Sequence, residues 1–196
     1  LHVVLLELVI DPTCSIVLER TPAEPNIMDQ KPIPQGQPLV NKAIVIKSLI
    51  QGLIIFAATF GTYLYIWLGC KAQAESAHLI GDNLKAFLEN GAVHARTMAF
   101  VILIVSNLLL VLVNSSEFHS IITCAKNLFK EKLIIIINSG IILIAILAVY
   151  TPLATYLKFT ALEPLEMLCA LGISIVAVLW YEIVKLVKNR GTREIG

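Results

Sequence analysis

Two acidic residues stand four apart inside an apolar stretch, Val3-Val4-Leu5-Leu6-Glu7-Leu8-Val9-Ile10-Asp11-Pro12-Thr13. That spacing stacks Glu7 and Asp11 on one face of a helix. A charge near the centre of a bilayer costs roughly 2.5–3.5 kcal/mol on insertion scales, and two on one face also repel each other. Such a pair persists where a cation, a proton or a basic partner lies between its members. No Lys or Arg lies deep in any apolar run of this chain, which leaves a bound cation or a titrating proton. Pro12 has no N–H, so the carbonyl of Leu8 loses its helical partner and the helix is expected to bend or unwind there. A freed carbonyl beside two carboxylates is an oxygen cluster of the kind that Ca2+ and Mg2+ prefer. Broken helices at membrane depth are a recurrent way to build transport sites. The plainer alternative places both acids near a helix end, in contact with water.

Other polar residues within apolar runs are weaker signals. Ser106 and Asn107 form one group, and Asn138-Ser139-Gly140 another. Groups of this kind commonly hydrogen-bond between helices; Asn107 is also a candidate third metal ligand. Cys14, Cys70, Cys124 and Cys169 have no metal-ligand spacing and read as small hydrophobes. His2, His78, His94 and His119 lack an i, i+4 partner, so no histidine metal cluster is expected. No residue is assigned a catalytic role.

The elements that must carry these residues are helices in a membrane. Of 196 residues 57% are apolar and 15% charged, against roughly half apolar and a quarter charged in a soluble domain. A net charge of +1 gives no case for a nucleic-acid surface. A bilayer core of about 30 Å needs about 20 helical residues. Five runs qualify or nearly do: 1–18, 48–70, 97–113, 133–153 and 165–187. Stretches such as Leu133-Ile134-Ile135-Ile136-Ile137 lack the alternation of a barrel strand. The expected fold is therefore all-α, an integral membrane bundle of about five transmembrane helices, the first broken at Pro12.

Loop charges orient the bundle. Arg20, Lys31, Lys42, Lys47, Lys126, Lys130, Lys132, Lys185, Lys188, Arg190 and Arg193 fall on one side, with Lys71, Lys85, Arg96 and Lys158 on the other. The basic side, with the C-terminus, is expected to be cytoplasmic. Segment 19–47 is expected to be a cytoplasmic loop, and Pro22, Pro25, Pro32, Pro34 and Pro38 predict a stiff, extended connector over its 19–38 part. Residues 75–90 read as a short amphipathic lid or a plain loop, and 117–131 as an interfacial helix or a plain loop. Ala57 and Gly61 form a small-residue pair that lets a neighbouring helix approach closely. Glu182 and Lys185 are expected to snorkel at the end of the last helix. Leu1 opens directly into apolar helix material with no basic region before it, so the chain reads as cut from something longer. Its polar, basic tail reads as a natural end.

Glu7-Leu-Val-Ile-Asp-Pro-Thr-Cys-Ser-Ile-Val-Leu-Glu19, followed by Pro22-Ala-Glu-Pro-Asn-Ile-Met-Asp-Gln-Lys-Pro32, resembles the sixth transmembrane helix and following loop of P-type cation pumps, in a bacterial variety of the calcium-pump-like branch. The likeness extends over the chain as helices six to ten of a ten-helix membrane domain, with Tyr181-Glu-Ile-Val-Lys185 in the last. The resemblance implies that Asp11 falls on the family's central cation-binding aspartate and Glu7 on a cation-binding asparagine. Ile10 falls where a threonine ligand would stand. Asn107, aligned through Thr97-Met-Ala99, falls on an eighth-helix ligand. Gaining Glu7 while losing the threonine oxygen argues against carrying over the family's two-calcium stoichiometry.

The family couples transport to ATP through a phosphorylated aspartate in an Asp-Lys-Thr-Gly motif, which this sequence does not contain. The resemblance therefore implies the membrane half of an ATP-driven pump. Its transported cation is Ca2+ first, then Mn2+, Mg2+ or H+. ATP and Mg2+ act only through missing domains. The implied partners are the lipid bilayer and the pump's missing N-terminal helices and cytoplasmic ATPase domains, in a bacterial plasma membrane. The alternatives are a stand-alone, non-enzymatic five-helix scaffold or accessory subunit, and a secondary-transporter fragment, for which no inverted repeat is visible.

Overall fold

The computed structural model describes residues 2–19, 41–114 and 132–193. These form α1 (His2–Glu19), α2 (Lys42–Ser76), α3 (Asp82–Asn114), α4 (Lys132–Tyr150), the short α5 (Leu153–Leu157) and α6 (Pro164–Arg193). The described residues contain no strand. Among the described residues three helices are long and apolar enough to cross a membrane: α2, α3 and the Pro164–Val184 part of α6. The apolar stretch of α4, Ile134–Tyr150, is shorter. In α1, Glu7, Asp11 and Glu19 interrupt the apolar character. The fold is an all-α membrane bundle.

The helices are longer than the apolar runs within them. At 1.5 Å per residue, the 35 residues of α2 reach about 52 Å, well beyond a bilayer core of about 30 Å. There is no separate lid over 75–90. Residues 75 and 76 end α2, Ala77–Gly81 turn the chain, and Asp82 starts α3. The turn closes with bonds from His78 N to Glu75 O (3.1 Å) and Leu79 N to Ala74 O (3.2 Å), a Schellman pattern. His78 holds its left-handed position at φ 51°. The expected interfacial helix over 117–131 and the proline-rich connector from residue 20 lie outside the described residues, as do His119 and Cys124.

The break expected at Pro12 is also corrected: α1 runs as one helix from His2 to Glu19. Proline removes a single i→i−4 bond, and membrane helices accommodate that loss when the bonds before and after it hold the turn.

α3 is the hub, packed by α1, α2, α4 and α6. Its Phe100 and Ile104 join Ile141, Ala148, Leu157 and Phe159 in one cluster, and its Met98, Val101 and Ile102 join Val149, Leu162 and Ala170 in another. Outward faces are equally apolar, with Leu53, Phe56, Leu143 and Val176 exposed, as lipid requires. Gly61 meets nothing within 4 Å, so the Ala57/Gly61 pair receives no described helix. The close approach is at Gly91 of α3, where an added Cβ would lie 2.7 Å from Cys70 Sγ of α2.

One end of the bundle is stitched by the linker of residues 151–163. Thr160 N donates to Thr97 Oγ1 (3.0 Å), Arg96 to Lys158 O (3.3 Å), and Tyr150 Oη to Leu162 O (2.9 Å). Glu166 accepts from Glu163 N (2.9 Å) and pairs with His94 Nε2 (3.0 Å).

Candidate cation site

α1 divides cleanly around its circumference. At 100° per residue, His2, Leu5, Leu6, Ile10, Cys14 and Ile16 fall in one wedge, and all are half-buried. Val4, Glu7, Leu8, Asp11, Ser15 and Glu19 fall in the other, and all are exposed. The division follows from what lies beside the helix. Leu5 and Leu6 pack on the cluster around Phe100, Ile141 and Phe159, supplied by α3, α4 and the linker. Ile10 and Cys14 line a narrow cleft with Ile104, Asn107, Leu108, Val111 and Ile141, of about 10 Å3, the scale of one water.

Glu7 and Asp11 thus lie mid-helix, side by side on a face that no described element covers. Val4 and Leu8 on the same stripe are 64% and 67% exposed, so the stripe mixes apolar residues with acids. Lipid suits the first and not the second.

Asn107 is half-buried in the cleft against Ile10 and Cys14. Its Nδ2 donates to Leu103 O (2.9 Å) on its own helix, which leaves the amide oxygen as the atom it could offer a cation. The structure therefore sets Asn107 against the α1 wedge adjoining the carboxylates, rather than between them. Among the described residues no group of three or more His, Cys, Asp or Glu could hold a metal ion. Two carboxylates, one amide oxygen and the Leu8 carbonyl fall short of the six to eight oxygens Ca2+ takes, even if they converge. The remaining oxygens must come from water or from outside these helices.

Among the described residues the interhelical bonds expected of Ser106, Asn107 and Asn138 are not made. Asn107 bonds within α3, and Ser106 Oγ and Asn138 Oδ1 are buried with no partner among the described residues. Polar ties between helices include Ser174 Oγ to Ile102 O (3.2 Å) and Asn114 Nδ2 to Gln51 Oε1 (3.4 Å). Of the remaining cysteines, Cys70 packs at Gly91 and Cys169 is exposed.

A wide cavity, about 1180 Å3, is elsewhere: it opens between α2, α3 and α6 and is lined by Tyr65, Gln73, Asn90, His94 and Glu166 among others. No residue of α1 borders it. Its His94–Glu166 pair and the contacts of His2 escaped sequence reasoning, because they join residues 72 and 155 positions apart and leave no local pattern.

Comparison with curated proteins finds no match. The family described as "Cation transporting ATPase, C-terminus" matches residues 1–187, from α1 well into α6. The chain belongs to this family, the membrane-embedded C-terminal part of cation-transporting ATPases.

Proposed function

We propose that α1 supplies Glu7 and Asp11, with Asn107 of α3 beside them, as oxygen ligands for the cation that the pump carries, with Ca2+ as first choice and Mn2+, Mg2+ or H+ behind it. The observation that carries this reading is the exposed stripe of α1. Two carboxylates in mid-helix, beside bare Val4 and Leu8, cannot face lipid without a cost of roughly 2.5–3.5 kcal/mol each. They need a charge partner, and the described helices provide none. A cation held between this stripe and the pump's other helices meets both requirements.

In this reading Glu7 and Asp11 neutralise a divalent cation and Asn107 adds a neutral oxygen. Glu7, an acid where Ile10 offers no oxygen, makes the site more anionic and favours one tightly held divalent ion or a carried proton. Energy arrives from ATP and Mg2+ bound in the pump's cytoplasmic domains, as the motif for aspartyl phosphorylation lies outside this sequence. Coupling then requires that the two conformations of the pump differ in cation affinity. The basic loops support a cytoplasmic C-terminus, and the variety of motif favours a bacterial plasma membrane.

The test is Asp11→Asn in the full pump. Cation-dependent phosphorylation by ATP is expected to vanish, while the protein accumulates in the membrane. Normal cation-dependent phosphoenzyme in that variant rules out the ligand role. Titrating the parent with Ca2+, Mn2+ and Mg2+, each across a range of pH, identifies the ion.

A further inference from the structure

α1 is held to the bundle lightly. None of its described side chains is fully buried, and the apolar contacts along it come from half-buried residues. Contacts of that kind resist separation of two helices better than they resist sliding, because one aliphatic surface packs on another with little directional preference. A cation site has the opposite demand. Metal–oxygen distances are held to about 0.2 Å, whereas slippage by one turn moves a helix about 5.4 Å.

At one end of α1 there is a directional contact. His2 Nε2 lies 2.6 Å from the carbonyl oxygen of Leu157, the last residue of α5. That carbonyl is at a helix C-terminus, where it lacks an intrahelical partner and is open to an outside donor. The imidazole must donate, so Nε2 carries a proton. The ring also packs, tilted by 48°, against Phe159 at 4.9 Å between centroids, and Phe159 packs, tilted by 36°, against Phe100 of α3 at 4.6 Å. Leu157 and Phe159 are buried, and their linker is tied to α3 through Thr97 and Arg96. His2 therefore bonds to a linker that is itself fastened to α3. Among the described residues it makes the hydrogen bond that links an α1 side chain to another element.

We infer that His2 is a positioning residue: its bond to Leu157 sets the axial register of α1 and so the height at which Glu7 and Asp11 meet the cation. The carboxylates follow His2 by five and nine residues, about 7.5 and 13.5 Å along one continuous helix. A displacement at His2 is passed to both of them together. The inference rests on the ligand reading of Glu7 and Asp11.

Three variants of the full pump separate the possibilities, each read as the cation concentration for half-maximal phosphoenzyme and as the maximal phosphoenzyme level. His2→Phe keeps a ring against Phe159 and removes the donor. It is expected to raise the half-saturating concentration five- to tenfold with the maximum unchanged. His2→Gln carries an N–H at the reach of Nε2, and is expected to return within twofold of the parent. His2→Asn, whose amide is too short for the carbonyl, should behave as His2→Phe does, and substitutes for it if the phenylalanine variant does not accumulate. Parental affinity in the donor-less variants overturns the inference, as does an equal loss in His2→Gln. Asp11→Asn in parallel tells the two readings apart. If it abolishes the phosphoenzyme while His2→Phe changes nothing, only the positioning role falls. If it leaves cation dependence intact, the ligand role falls and the positioning role with it.

Discussion

Glu7 and Asp11 belong to one physical argument. The first shows what a second carboxylate contributes to a site otherwise poor in oxygens. Replacing Glu7 by Gln keeps one side-chain oxygen and removes the charge. If the cation is divalent, the loss of half its nearby negative charge is expected to raise the half-saturating concentration at least tenfold, measured by cation-dependent phosphorylation of the full pump. Thr97 poses a question of stability instead. Its hydroxyl is fully buried, donates to Val93 O (3.0 Å) and accepts from Thr160 N (3.0 Å). Thr97→Val preserves shape and strands the Thr160 N–H, at a cost of about 1–3 kcal/mol. Thermal denaturation in detergent should show the loss, whereas Ser174→Ala, which leaves the Ile102 carbonyl with its helical partner, should cost less.

At the scale of elements, α2 and α3 meet where a glycine faces a cysteine. Gly91→Ala would put a Cβ 2.7 Å from Cys70 Sγ and 2.9 Å from its Cβ. Overpacking of this kind costs about 1–3 kcal/mol, and the nearest atom is a thiol sulfur only two bonds from the backbone, with little room to swing away. The variant should unfold at lower temperature. Adding Cys70→Ala, which removes the sulfur and retains the Cβ, should recover part of the loss, a non-additivity expected of residues in contact. The turn between the same helices is improvable. His78 occupies a left-handed position at φ 51° that glycine adopts freely. His78→Gly is expected to stabilise the α2–α3 hairpin by about 1 kcal/mol, read as a higher unfolding midpoint. The gap between expected and observed elements is also instructive here. The apolar run 48–70 marks α2 but stops short of its ends, since Lys71, Gln73 and Glu75 are good helix formers that continue the helix into the interface.

For the whole molecule, the bundle is organised around α3, with α1 on its margin and the acid-bearing stripe turned away from every described helix. In the proposed reading the site is therefore a half-site. Residues 1–196 expressed alone in vesicles are expected to show no cation binding at concentrations that saturate the full pump, as measured with radioactive Ca2+ or Mn2+. Saturable binding at those concentrations would mean that water and these helices complete the shell unaided. The wide cavity bounded by α2, α3 and α6 has no α1 residue in its wall and so does not supply the missing half.

The amino-acid sequence by itself determined that the chain is a bundle of membrane helices and that Glu7 and Asp11 are its anomalous residues. Both conclusions rest on length, apolarity and i, i+4 spacing, which are properties of neighbouring residues in a helix. Its signature for a break at Pro12 overstated a local effect, because one missing hydrogen bond does not end a helix whose other bonds remain. The tertiary structure alone decided which side of α1 is covered, that Asn107 adjoins the Ile10–Cys14 wedge, that Gly91 rather than Gly61 is the close contact, and that His2 holds the linker. Each of these depends on residues distant in the chain meeting in space: Asn107 faces residues more than ninety positions away, and His2 reaches Leu157 across 155. Such meetings are selected by how all the helices pack at once, so no stretch of sequence carries their pattern.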